Sequence, residues 1–516
     1  MVKAASVVGA ATFLSRICGF IRDIIIAYLF GAGPAADAFF VAFRVPNLLR
    51  RLFAEGALTI AFIPIFTESL LREGREKACE LARSVSGALS LVLLLICALG
   101  MIFTGAVLAV IAPGFIPGSS VYELSLLLAR VCFPFIFFIS LAALSSGILN
   151  TQEHFISPAI SPVLLNLSLI CCALGLDLDP PVLSLGVGVL LGGGAQLLIQ
   201  IPFLKARGMS ILPRFKFKNP YLKQIITLML PAAFGAAVYQ ITVVLNTVLA
   251  SFLPGGSVSY LYYADRMVEF PLGIFAVALA TAVLPSLSRQ AVSHQKEEFI
   301  ATLNYALRLT MFICLPAMAG LLLLAEPLIA VLFARGEFDW PAVEATTRAL
   351  WGYGAGLWAF AALRAILPAF YALKDTKTPV KVGAVILLLN LGVGLGLMHV
   401  WQHVGLALAT SISSSANLII LLWILNRKLG SLGLAKILRS LFFITVACLF
   451  MALGVRTGLE ILGQYHDWQN GGRMISACWL GLLIVTGAGL YLIAARLFKI
   501  DELRELGRML KHRSGE

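Results

Sequence analysis

Runs of about 20 or more predominantly apolar residues follow one another along the whole chain, separated by short polar connectors. Such a run, coiled as a helix, is long enough to cross a bilayer. Fourteen are read, at residues 5–30, 34–70, 85–112, 121–149, 156–176, 182–204, 222–252, 259–288, 300–325, 343–373, 380–399, 404–426, 437–456 and 474–497. The connectors after even-numbered runs and the tail carry most of the Lys and Arg, among them Lys205, Arg207, Lys374, Lys377, Arg427 and Lys428. Those after odd-numbered runs hold only Arg335, Arg456 and Arg473. Cytoplasmic loops collect positive charge, so both termini are placed in the cytoplasm.

The apolar pattern is broken where it matters most. Asp37 to Glu68 reads as one long helix that contains Asp37, Arg44, Arg50, Arg51 and Glu55. The first run is interrupted by Ser15-Arg16 and Arg22-Asp23, and the eighth by Asp265, Arg266 and Glu269 ahead of Pro271. An ionised side chain at membrane depth costs roughly 3 kcal/mol, so it faces a polar cavity or a partner. At 100° per residue Asp37, Arg44, Arg51 and Glu55 share a face, whereas Asn47 and Arg50 lie on another. Pro46 interrupts that stretch, and a kink there makes the phase uncertain. Arg16 and Asp23 also share a face, with Arg22 about 120° away.

Internal ion pairs that fix helix register are the plainer reading of these charges. Arg50, Arg51 and Glu55 are also close enough to the cytoplasmic side to snorkel. The six arginines nevertheless outnumber Asp23, Asp37, Glu55, Asp265 and Glu269. Guanidinium is the group that holds phosphate or carboxylate bidentately and never loses its charge. A cationic chamber for an anionic substrate is therefore expected.

Composition agrees with the pattern. The 516 residues are 60% hydrophobic and only 13% charged, with a mean hydropathy of +0.94. Globular domains carry about 25% charged residues. The fold class is an all-α polytopic membrane protein with fourteen transmembrane helices. The net charge of +13 is topological, since no basic face or reader motif points to nucleic acid. Nine scattered cysteines, without CxxC or Cys/His spacing, give no metal or redox role. The first run lacks a small-residue cleavage site and is expected to stay. With no phosphate-loop motif and no nucleophile–base pair within the runs, neither an ATP-driven pump nor an enzyme is indicated, and no cofactor.

A shift of 221 residues superposes Pro64 on Pro285, Ala109 on Ala330 and Pro158 on Pro379, and Asn166 meets Asn390 at 224. Two pseudo-symmetric six-helix lobes follow, 1–215 and 216–430, with two further C-terminal helices in 431–516. Paired halves around a central site are the architecture of alternating-access carriers.

LSRICGFIRD, GAGPAADAFFVAFRVPNLLRRLFAEGA, YYADRMVEFPLG and LPSLS resemble the MurJ (MviN) family of lipid II flippases, in the MOP exporter superfamily. The resemblance spans about the first 430 residues, and the last two helices match the family's layout. It implies movement of lipid II, the undecaprenyl-pyrophosphate-linked peptidoglycan precursor, to the outer leaflet of the bacterial cytoplasmic (inner) membrane. It maps pyrophosphate-binding arginines onto Arg16, Arg22, Arg50 and Arg266. It favours Arg50 where helical phase favours Arg51, and the Pro46 kink decides for Arg50. Ser15 and Asn47 are grouped with these as binding residues. Asp37 and Glu269 match gating positions, and Asp23, Arg44, Arg51, Glu55 and Asp265 join them as cavity charges. The last two helices are expected to form a groove for the lipid tail.

Some members hold sodium through carboxylates in the seventh and eleventh spans. The apparent positions here are Asn246 and Gly394, with Asn390 and Thr410 retained, so only a vestigial sodium site (Asn246, Asn390, Thr410) is read and membrane potential is expected to drive transport. The implied partners are lipid II and the membrane, with wall-synthesis enzymes as further candidates. The alternatives are a flippase for another lipid-linked oligosaccharide, a drug/cation antiporter of the same fold, and a scaffold for wall-synthesis enzymes. An antiporter predicts an acidic, aromatic chamber; a scaffold predicts that neutral replacements of the arginines are harmless.

Overall fold

The computed structural model describes residues 2–51, 58–215 and 220–505, which form helices joined by short connections, with no strand among them. In an environment without water a helix satisfies its own backbone groups, which is why apolar runs of this length adopt it. The chain divides into two compact units: Met1–Ser259 with Arg335–Phe338, and Tyr260–Ala334 with Asp339–Glu516.

The first unit begins with α1 (Val2–Phe30), α2 (Pro34–Leu49), α3 (Leu58–Arg72) and α4 (Arg75–Ile102). It continues with α5 (Thr104–Ile111), α6 (Ser120–Cys132), α7 (Phe135–Thr151) and α8 (Ile156–Gly175). It closes with α9 (Leu183–Leu198), α10 (Ile201–Ala206) and α11 (Pro220–Ser251). Here α1 packs on α8, α8 on α9, and α2 on α6. The loop Arg335–Phe338 also belongs to this unit, and the Glu337 amide donates to the Tyr28 carbonyl at 3.0 Å. Gly336, at φ 58°, makes that approach possible, because a Cβ there would collide with the Tyr28 carbonyl.

The first three residues of α12 (Ser257–Pro271) lie in the first unit and the rest in the second. After a π-helical turn at Leu272–Ala276 come α13 (Val277–Val292), α14 (Lys296–Leu323) and α15 (Ala325–Phe333). Then follow α16 (Trp340–Gly354), α17 (Leu357–Ala372), α18 (Lys377–Leu429), α19 (Leu434–Gly463) and α20 (Arg473–Leu497). In this unit α14 packs on α17 and α19, and α19 on α20.

Among the described residues eight helices are long and apolar enough to cross a membrane, or nine when α16 and α17, bent by 42°, count as one span. One of them, α18, has 53 residues and turns back at Gln402, whose φ of 48° and ψ of −129° are not helical. Residues 377–401 and 403–429 are then separate rods of about 38 and 40 Å at the helical rise, each longer than the roughly 30 Å of bilayer hydrocarbon.

One sequence expectation changes, that for the connector after the second run. Of the stretch from Asp37 to Glu68 read as one helix, α2 runs to Leu49 and passes into a π-type turn at Arg50 and Arg51, residues 52–57 lie outside the described residues, and α3 is described from Leu58. Pro46 sits inside α2, four residues before that turn. The basic connector from Arg72 to Arg83 is mostly the opening turns of α4, whose N-cap is Gly74.

Candidate functional site

On α1, Arg16 is exposed, while Arg22 and Asp23 are 8% and 1% exposed. Arg22 donates through Nε and Nη2 to Asp23 Oδ1 at 3.0 and 2.7 Å. Its Nη1 donates to Asn166 Oδ1 on α8 at 3.0 Å. Asn166 Nδ2 in turn donates to the Ser15 carbonyl at 3.1 Å. A buried guanidinium is tolerable when a carboxylate compensates its charge and further acceptors take its N–H groups. The chain Asp23–Arg22–Asn166–Ser15 supplies both, and it fixes the plane of the guanidinium.

Asp37 is 2% exposed on α2 and serves another helix. Its Oδ2 accepts from the Gly256 amide at 2.6 Å, and its Oδ1 accepts from the Ser259 amide at 2.8 Å and hydroxyl at 2.6 Å. Those amides open α12, so Asp37 does from a distance what a capping side chain does locally, with its charge at the positive end of the helix. Further along α2, Arg44 is half-buried, and Arg50 Nε donates to Asn47 Oδ1 at 3.0 Å. Arg51 is exposed. Glu55 lies outside the described residues.

On α12, Asp265 is exposed and Arg266 half-buried. Arg266 lies over the Tyr262 ring, 5.1 Å from its centroid, and donates to the Tyr262 hydroxyl through Nε at 3.3 Å and Nη2 at 3.0 Å. Glu269 accepts from Arg364 Nη2 on α17 at 3.4 Å. Sequence reading passed over Arg364, although an arginine inside the run 343–373 is the same signal that marked Arg22 and Arg266. It also passed over Arg308 on α14, which pairs at 3.0 Å with Glu502, a 1% exposed carboxylate that also accepts from the Ser440 hydroxyl at 2.8 Å.

Asn246 is half-buried on α11; on α18, Asn390 is 2% exposed and the Thr410 hydroxyl donates to the Leu406 carbonyl at 3.0 Å. These side chains provide neutral oxygens only, whereas hard cations favour carboxylates. Among the described residues no cluster of three or more His, Cys, Asp or Glu could hold a metal ion.

Membrane-length helices that carry hydrogen-bonded arginines and carboxylates within apolar sequence define a polytopic membrane protein of the transporter class. Comparison with known proteins narrows this. A family model described as lipid II flippase MurJ matches residues 26–471. A probable lipid II flippase MurJ of Vibrio cholerae is 39% identical over 503 residues, covering 95% of this chain and 95% of that protein. The solved structure of a lipid II flippase MurJ in an inward closed conformation superposes with a TM-score of 0.80 at 28% identity, covering 96% of this chain and 99% of the other. An inward-facing multidrug transporter of the MATE family, in the MOP superfamily, shares the fold: TM-score 0.70, 18% identity, and 83% and 98% coverage. The chain belongs to the MurJ family of lipid II flippases.

Proposed function

We propose that this protein carries lipid II across the bacterial cytoplasmic membrane, from the inner to the outer leaflet, by alternating access. The observation behind this reading is the family match over residues 26–471. The finer architecture proposed with it is fourteen spans with both termini cytoplasmic, in lobes 1–215 and 216–430, and a C-terminal pair of helices in 431–516 for the lipid tail.

The pyrophosphate is the part of the substrate that lipid excludes most strongly, and arginine is its natural host. Arg16, Arg22, Arg50 and Arg266 receive it, with Ser15 and Asn47 beside them. Arg22 and Arg266 are held in position by neighbours, Asp23 with Asn166 and Tyr262 respectively. Such holding lowers the entropy lost on binding. The polyprenyl tail stays in lipid while the headgroup crosses. The inward-facing field on a cationic site is worth about 2.3 kcal/mol per charge per 100 mV, enough to bias which face is open. No covalent chemistry is required, and the protein is read as a carrier, not an enzyme.

The test is translocation by the purified protein in vesicles that contain fluorescent lipid II, read as the fraction reachable by an externally added quencher. Protein-dependent movement that lipid II carries out and an uncharged polyprenol glycoside does not is expected. Equal movement of both would remove the pyrophosphate from the reading.

A further inference from the structure

The turn that reverses α18 at Gln402 follows a rod already longer than the hydrocarbon core, so it emerges at a membrane–water interface. Against it, on the adjoining face of α16, lies a cavity of about 550 Å³ lined by Arg348, Trp351, Val400, Trp401, Gln402 and Leu408. Its floor is rigid. A Cβ on Gly352 would stand 2.7 Å from Ala407 Cβ, and the Ser411 hydroxyl donates to the Gly352 carbonyl at 2.7 Å. His403 Nε2 is 3.0 Å from the Ala345 carbonyl, which ties the turn to α16.

The rim is apolar and open. Trp351 is anchored by its indole N–H on the Leu322 carbonyl at 2.9 Å, yet 48% of it is exposed. Trp401 is 52% and Val400 72% exposed. Indole rings with one apolar and one polar edge suit the glycerol level of a bilayer.

The charges around the cavity are mixed. Arg348 faces it and pairs at 3.2 Å with Glu344, one turn earlier on α16, both side chains being half exposed or more. Glu326 opens α15, which packs on α16. Burial and the neighbouring Glu344 carboxylate push Glu326 above the usual carboxylate range. One guanidinium at the cavity with a carboxylate paired to it disfavours a purely anionic headgroup. It matches a headgroup that carries an inner phosphodiester and an outer primary ammonium.

We infer that this cavity binds an aminophospholipid of the bilayer, with its phosphodiester on Arg348, its ammonium on Glu344 and its glycerol region between Trp351 and Trp401. The zwitterion converts one exposed ion pair into two, and the guanidinium can hold the phosphodiester through two parallel bonds. The inference is independent of what the protein transports.

The experiment is retention of added phospholipids by the purified full-length protein, measured by native mass spectrometry with phosphatidylethanolamine, phosphatidylcholine and phosphatidylglycerol at equal concentration. The ethanolamine lipid is expected to bind tightest. Arg348→Gln should weaken all three by about tenfold, the loss of one charge-assisted contact. Glu344→Gln should abolish the preference for ethanolamine over choline while leaving choline binding unchanged. Trp401→Ala should weaken all three alike and serves if Arg348→Gln accumulates poorly. A glycerol lipid held as tightly as the ethanolamine lipid, or unchanged retention in both Arg348→Gln and Trp401→Ala, would overturn the inference.

Discussion

Asp37 and Ser259, 222 residues apart, are joined by two hydrogen bonds: the Asp37 carboxylate accepts from the Ser259 amide at 2.8 Å and from its hydroxyl at 2.6 Å. With the Gly256 amide as a third donor, one buried side chain on α2 caps the start of α12, the helix whose later turns carry Arg266 and Glu269. Asp37→Ala leaves two buried amides without acceptors, and a stability loss of about 3 kcal/mol is expected. Ser259→Ala removes one bond of the three and should cost about 1 kcal/mol. Thermal unfolding in detergent measures both, and equal effects would contradict the capping role.

Asp23 is a charged partner of Arg22 and Asn166 a neutral one, and these two should not be equivalent. Removing the carboxylate from a buried ion pair is expected to cost about 3 kcal/mol, and removing a neutral hydrogen-bond partner about 1 kcal/mol. Asp23→Asn should therefore destabilise more than Asn166→Ala in the same unfolding experiment. The reverse order would mean that Asn166, not Asp23, anchors the guanidinium.

The Glu269–Arg364 pair is longer and wetter, 3.4 Å with side chains 46% and 29% exposed. A double-mutant cycle on stability should return a coupling below about 1 kcal/mol. A larger effect of Arg364→Ala on transport than on stability is expected, because Glu269 loses its partner on α17. Transport loss that only tracks unfolding would reduce this pair to scaffolding.

Much of this fold is legible in apolar runs, and little of the pairing is. The reversal of α18 at Gln402 falls inside the connector read between the runs 380–399 and 404–426, since a short polar interruption in a long apolar stretch has few other meanings. Asn166 stands out as a repeat landmark, but its contact with Arg22, 144 residues away, leaves no periodic trace. Helical phase separates Arg22 from Asp23, yet a long flexible side chain folds back onto its neighbour. Arg308 and Arg364 lie inside apolar runs as visibly as Arg22, but their partners Glu502 and Glu269 come from distant segments.

Asp375, between α17 and α18, accepts hydrogen bonds from Lys428 and Thr378, and the Lys428 bond above all pulls its carboxyl down to about 2. A carboxyl depressed in the folded state stabilises it fully above the unfolded value near 4, and that contribution disappears as pH falls toward about 2. Lys428→Ala should raise the Asp375 carboxyl toward its ordinary value, as read by carboxyl carbon NMR against pH. An unchanged titration would assign the depression to Thr378.

The most direct test is complementation of a flippase-depleted bacterium by Arg22→Ala and Arg266→Ala, with membrane levels of each protein measured alongside. Normal accumulation, failure to restore growth and a rise of lipid II in the inner leaflet are expected of both variants. Full rescue by both at normal levels would contradict the role of these arginines as hosts for the pyrophosphate.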